Sequence, residues 1–179
     1  DEDYVKVKAA DGYTYYMAEA LLDTVLGKLK TEDAPAYEVL ERFKGKALEY
    51  KEYEPLYEAA AKIAEKQKKK AFYVLCDEYV TLTDGTGVVH QAPAFGEDDA
   101  RVGRKYDMPF VQLVDAKGNM SEDAPFAGTF VKKADPLILD DLKSRGLLYD
   151  APKFEHSYPH CWRCDTPLIY YARESWFIK

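Results

Sequence analysis

The sequence is short of the patterns that most often announce chemistry. It has no phosphate loop of the G-x-x-x-x-G-K type, no dinucleotide glycine fingerprint and no G-x-S-x-G nucleophile elbow. Serines are few and none stands in a triad context, so hydrolysis by this chain would use water rather than a side-chain nucleophile. Three cysteines, two of them in a single C-x-x-C, do not make a secreted disulfide framework. No apolar run nears membrane-spanning length and no secretory leader is seen, which predicts a cytoplasmic chain with no membrane partner. Basic excess is missing too. The 25 lysines and arginines face 32 acids, a formal net charge of −7, which argues against generic electrostatic binding of nucleic acid but not against a local patch.

What is present is a globular composition, 47% hydrophobic and 32% charged, over 179 residues. That length predicts one domain, 1–179, with a core of its own. Fifteen tyrosines suit strand-rich packing or a half-wet binding surface. The strand-like opening YVKVKAADGYTYYMA and the closing LIYYARESWFIK predict a piece of a larger protein.

Periodicity and turn chemistry supply the elements. Val5–Lys8 and Tyr13–Met17 read as strands joined at Asp11-Gly12. Helices are expected over Ala18–Leu26 with Gly27 as the stop, over a short stretch after Pro35 ending at Gly45, and over Leu56–Lys68. Ala47–Tyr53, Ala71–Cys76, Val88-Val89 and Phe110–Val114 read as further strands. Glu97–Tyr106 is expected to be a helix opened by Gly96. Another should begin with Asp135 as N-cap and Pro136 in first position, and stop at Gly146. The mixture predicts a mixed α/β (α+β) domain, barrel-like or open-sheeted.

Three constellations carry chemistry. In GTGVVHQAPAFGEDD, His90 stands where a strand opens into a loop, and Asp98 and Asp99 stand in the first turn of a helix. Each has an ordinary explanation, a structural histidine and two helix-start acids stabilised by the macrodipole. Together they suit a cleft for a ligand carrying an ammonium group. The pair Cys161-Trp162-Arg163-Cys164 is half of a tetrahedral zinc site, with His156 and His160 as tightly spaced nitrogen donors, while Cys76 reads as a small hydrophobe. Lys62–Lys70 (KIAEKQKKK) holds five lysines, either a solvated helix end or a phosphate-binding patch.

GTGVVHQAPAFGEDD and YPHCWRCDTPLIYYARESWF together resemble the editing insertion, connective polypeptide 1, of class I aminoacyl-tRNA synthetases, in its isoleucyl form and its eukaryotic cytosolic type. The resemblance covers essentially the whole chain. It implies a β-barrel-like editing domain with peripheral helices that hydrolyses valyl-tRNA(Ile), with valyl-adenylate as a second candidate substrate and water as nucleophile. The isoleucyl enzyme is itself the standard illustration that one methylene permits only modest discrimination by binding, so a second sieve is needed.

Carried over residue by residue, the resemblance makes Asp99 the anchor of the substrate α-ammonium group. It makes His90 a catalytic and substrate contact at the pocket mouth, and Phe95 and Tyr158 aromatic contacts near the aminoacyl-adenosine end. Asp98 matches no role. A threonine-rich segment that walls the family's pocket is absent from this sequence. The implied partners are the tRNA(Ile) acceptor end carrying valine and the remainder of the synthetase, the chain being monomeric. No cofactor is implied here; ATP and magnesium serve the parent's synthetic site, and zinc at Cys161 and Cys164 would need ligands from outside the chain. Two alternatives stay open, a non-catalytic module that docks the tRNA acceptor end or stabilises its parent, and a small metal-binding domain.

Overall fold

In the computed structural model, which describes residues 2–153, 155, 157–176 and 178, the expected hairpin is present. Strands β1 (Asp3–Ala9) and β2 (Thr14–Ala18) run antiparallel, with Tyr4 opposite Ala18 and Lys8 opposite Thr14. Gly12 adopts φ +91°, and the Asp11 carboxylate fixes the turn by accepting from the Tyr13 N–H at 3.0 Å and the Tyr15 hydroxyl at 2.7 Å. Val5 and Val7 point inward and are fully buried while their neighbours face out, the period of two expected of a sheet with one covered face.

Where a helix was expected after Pro35, the chain forms β3 (Tyr37–Lys44), antiparallel to β1. The register shifts between Lys6 and Val7, so Leu40 has no partner on β1. This bulge puts Val39 and Leu40 side by side in an otherwise alternating strand and hides the period of two.

The sheet has three strands in the order β2-β1-β3 and is not a closed barrel. The barrel-like expectation is therefore not met, because the apolar runs that were to supply more strands do not extend. Ala71–Cys76 makes one isolated bridge, Tyr73 to Glu52, between left-handed residues at Tyr50 (φ +64°) and Phe72 (φ +58°). Val88 and Val89 are half exposed and follow left-handed Gly85 and Gly87, conformations that interrupt extended pairing. Ala47–Tyr53, also expected as a strand, begins in a 3-10 turn over Gly45–Leu48. Phe110–Val114 is reduced to a bridge from Val114 to Met120.

The chain divides into two compact units, Asp1–Glu54 with Phe72–Gln91, and Pro55–Ala71 with Ala92–Lys179. The first is built on the sheet. Its core is Val5, Val7, Met17, Leu21, Leu22, Leu26 and Leu48, with α1 (Leu22–Leu26) flanked on both sides by 3-10 turns. Helix α1 ends at Leu26 with Gly27 as its C-cap, as expected, but Gly27 keeps a helical φ of −55° and the chain tightens into a 3-10 turn through it.

The second unit holds α2 (Glu58–Lys66), α3 (Glu97–Lys105) and α4 (Val131–Ser144). Its buried side chains are mostly small, Ala59, Ala64, Ala94, Val102, Ala124 and Ala134. Helix α4 starts a turn earlier than expected. Phe130 is its N-cap and Pro136 lies inside, because fully buried Ala134 anchors the first turn. All three helices end in the same cap, a left-handed residue after the C-cap followed by a long-reach amide. Lys69 N–H donates to Ala64, Met108 N–H to Gly103 and Leu147 N–H to Leu142. Among the described residues, no helix is long and apolar enough to cross a membrane.

Candidate active site at the start of α3

The second unit resumes at Ala92 with the sequence APAFGEDD, and residues 92–99 fold into a compact clip. Phe95 N–H donates to the Ala92 carbonyl at 2.8 Å, closing a tight turn. Gly96 is the N-cap of α3, and Ala100 N–H donates to its carbonyl at 2.9 Å. The third helical residue, Asp99, bends back over this turn, and its Oδ1 accepts the Ala92 N–H at 3.0 Å. Asp99 lies so close to Gly96 that a Cβ there would overlap Oδ2 and stand 3.0 Å from Cγ. At the other end, Gly103 leaves room for Pro93, whose ring atoms would be 2.9 Å from an added Cβ. Two glycines and one carboxylate thus hold the turn against the helix.

The three acids of the first turn separate by environment. Glu97 and Asp98 are exposed, and Asp98 is engaged by the Arg101 guanidinium at 3.2 Å on the helix surface. Asp99 is half-buried and turned toward the loop. It therefore presents a fixed carboxylate at the positive end of a helix dipole, an arrangement able to pair with an ammonium group.

Phe95 is half-buried and meets the Tyr171 ring edge to face, with centroids 6.2 Å apart. The Tyr171 hydroxyl donates to the Val114 carbonyl at 3.1 Å, and Ala172 N–H donates to the Ala94 carbonyl at 3.0 Å, so residues 171–172 brace the turn. A groove of about 830 Å³ runs along Phe110, Gln112 and Tyr171 to Glu174.

Tyr158 has other partners. Its hydroxyl donates to the Leu168 carbonyl at 2.7 Å, and the Lys132 ammonium lies 4.7 Å from its ring centre. His90 belongs to the first unit, where it is exposed, whereas Asp99, Phe95 and Tyr158 belong to the second. Beside His90, Gln91 donates to the Tyr79 hydroxyl at 2.7 Å, and its Oε1 is enclosed without a donor among the described residues.

The C-x-x-C forms a small knuckle. Cys161 N–H donates to Thr166, Asp165 N–H donates back to Cys161, and Asp165 is left-handed (φ +55°). Cys164 Sγ lies 3.2 Å from the Thr166 hydroxyl. That hydroxyl first, then the Thr166 backbone and Cys161, hold the Cys164 thiol below its ordinary range. Two thiols are half of a four-ligand zinc site; no group of three or more potential ligands occurs among the described residues, and His156 lies outside them. Cys76 is half-buried, its Sγ 3.7 Å from the Gly45 carbonyl.

Asp99 and Phe95 are candidates on sequence alone, whereas the parts that hold them, the Ala92 amide, Gly103 and Tyr171, are not. A glycine in mid-helix opposite a proline loop is the signal that points to such a close approach.

No protein-family model matches the chain. Relatives do. The isoleucine–tRNA ligase of Clostridium acetobutylicum is 49% identical over 178 residues, 99% of this chain and 16% of the relative. That of Thermus thermophilus is 47% identical over 160 residues, 89% of this chain and 14% of the relative, and that of Pyrococcus horikoshii is 44% identical over 184 residues, 99% and 17%. These are two bacteria and an archaeon, and they lend no support to a eukaryotic cytosolic type. The chain spans about one sixth of the length of the curated relatives it matches, and nearly all of it is homologous to that portion of isoleucine–tRNA ligases.

Proposed function

We propose that this chain is the editing domain of an isoleucine–tRNA ligase, one that hydrolyses valine from mischarged tRNA(Ile). The observation that carries the reading is the Asp99 carboxylate, bent back to the Ala92 N–H at 3.0 Å beside Phe95, in a chain homologous to these ligases along nearly its whole length. Asp99 pairs with the α-ammonium group of the valyl ester and fixes the acyl group beside Phe95. Water attacks the ester carbonyl, and the tetrahedral intermediate expels the hydroxyl of the terminal adenosine with a proton, giving valine and free tRNA. Rate comes from holding ester and water together, with no covalent intermediate.

His90 and Tyr158 enter as substrate contacts through the resemblance of GTGVVHQAP and YPHCWRC. The reaction draws on no cofactor within the chain and takes place in the cytoplasm; any zinc at Cys161 and Cys164 completes its coordination with ligands from elsewhere.

The test is deacylation of valyl-tRNA(Ile) against isoleucyl-tRNA(Ile), by the chain joined to the family's threonine-rich segment and within a full-length ligase. Valine is released and isoleucine spared. Asp99→Ala lowers the valyl rate about 30-fold or more, as expected for loss of one partner of a desolvated ion pair. Unchanged hydrolysis in that variant removes Asp99 from the role.

A further inference from the structure

The lysines of KIAEKQKKK do not lie on an isolated helix end. Gln67 and Phe110 exchange two hydrogen bonds, Gln67 Nε2 donating to the Phe110 carbonyl at 2.7 Å and Phe110 N–H donating to Gln67 Oε1 at 2.9 Å. The Lys69 ammonium adds an ion pair to Asp107 at 2.6 Å. These contacts tie the segment after α2 to the segment after α3. The two helix ends, with the last-turn residues Lys66, Arg104 and Lys105, therefore share one edge of the second unit.

The acids on that edge are partly spent. Asp107 is paired with Lys69, and Glu58 with Lys62 at 3.6 Å, while Glu65 and Asp123 remain near Lys62 and Lys66. Lys66, Lys68 and Arg104 are exposed, and their side chains make no ion pair among the described residues. In a chain of net charge −7 this is a local basic ridge assembled from two helices. The negative helix ends account for one or two cations at each cap. They do not require Lys68, which sits beyond the C-cap with a left-handed backbone (φ +55°).

We propose that this ridge binds the phosphate backbone of the RNA whose 3′ end reaches Asp99. The inference rests on the editing reading. What directs it to RNA, rather than to another polyanion, is the shared helix. Asp99 and Arg104 are five residues apart on α3, a rise of about 7.5 Å. An aminoacyl end at the start of α3 thus puts the preceding phosphates within reach of cations at its far end. Such contacts position the strand and carry no base specificity.

The probe is a deacylated acceptor-stem minihelix of tRNA(Ile) ending in CCA, titrated against the 179-residue chain at several salt concentrations. K66Q/K68Q/R104Q weakens binding roughly tenfold near 0.1 M salt and lowers the log–log salt slope by about 2 to 3. A charge-matched control, K8Q/K30Q/K153Q, keeps the wild-type slope. Circular dichroism checks that both variants fold.

Equal affinity and slope in wild type and K66Q/K68Q/R104Q overturn the proposal, as does an equal loss in the control, which would assign the effect to bulk charge. No binding by the wild-type chain overturns it as well, and tighter binding of heparin than of the minihelix marks a general polyanion surface instead. Failure of the editing reading is seen separately. Absence of valyl-tRNA(Ile) hydrolysis in the deacylation assay sinks that reading and leaves the salt slopes as they are.

Discussion

Gly96 has an extended backbone, φ −153° and ψ 150°, that any residue adopts, so its value lies in space rather than conformation. A methyl group there would occupy the place of the Asp99 carboxylate. Gly96→Ala is therefore expected to swing Asp99 away and break its bond to the Ala92 amide. Stability should fall by only about 1 kcal/mol, the scale of an N-cap change. Hydrogen exchange reads the result directly, because the Ala92 amide loses protection in the variant. If its protection stays at the wild-type level, Asp99 is not the clamp. Under the editing reading, valyl-tRNA(Ile) hydrolysis falls along with it. Residue by residue, the chain reports its candidate site unevenly. Asp99 stood out from its neighbours through a resemblance, and the fold supplies a physical distinction, with Asp98 facing Arg101 on the surface while Asp99 faces the loop.

At the scale of elements, the signals that were legible are local. The Asp11-Gly12 turn carries its own hydrogen bonds, and α3 begins where the acids and Gly96 say it should. Elements set by distant partners were hidden. Strand β3 looked helical because its bulge at Leu40 breaks the alternation, and the AFYVLC and GTGVV runs are stopped by left-handed residues that apolar character does not encode. Helix α4 shows both cases. Its start is fixed by burial of Ala134, out of sight of the sequence, whereas its end at Gly146 is written in the residue. Gly146 has φ +69° and open space around a Cβ, so Gly146→Ala isolates the cost of a left-handed alanine. Chemical denaturation is expected to show a loss of about 1 kcal/mol. A change within experimental scatter would mean that the cap shifts to another residue without cost.

For the molecule as a whole, the second unit is discontinuous in sequence, and long-range polar ties join Pro55–Ala71 to the rest. One of them titrates. The Tyr57 hydroxyl donates to Asp141 Oδ2 at 2.8 Å, Arg145 reaches the same oxygen at 3.0 Å, and Arg145 also donates to the Leu56 carbonyl at 2.9 Å. The Tyr57 hydroxyl first, then Arg145, hold Asp141 below its ordinary value of 3.8. Burial first, then Asp141, raises Tyr57 above 10.0. A lowered carboxylate gives stability that is full above the unfolded value and lost as pH falls through the folded one. A raised phenol gives stability that is full below the unfolded value and lost as pH rises toward the folded one. The triad is thus intact between about pH 4 and pH 10 and weakens on both sides. Urea midpoints measured from pH 2.5 to 11 should form a plateau with falling shoulders. Tyr57→Phe should lower the plateau and flatten the alkaline shoulder, while Asp141→Asn should lower it and flatten the acid one. Shoulders that match the wild type in both variants would place the titrating tie elsewhere, with Asp115 next in line on the acid side. Its carboxylate is lowered by the Asn119 amide first and accepts the Lys117 and Asn119 N–H groups at 2.8 and 2.9 Å.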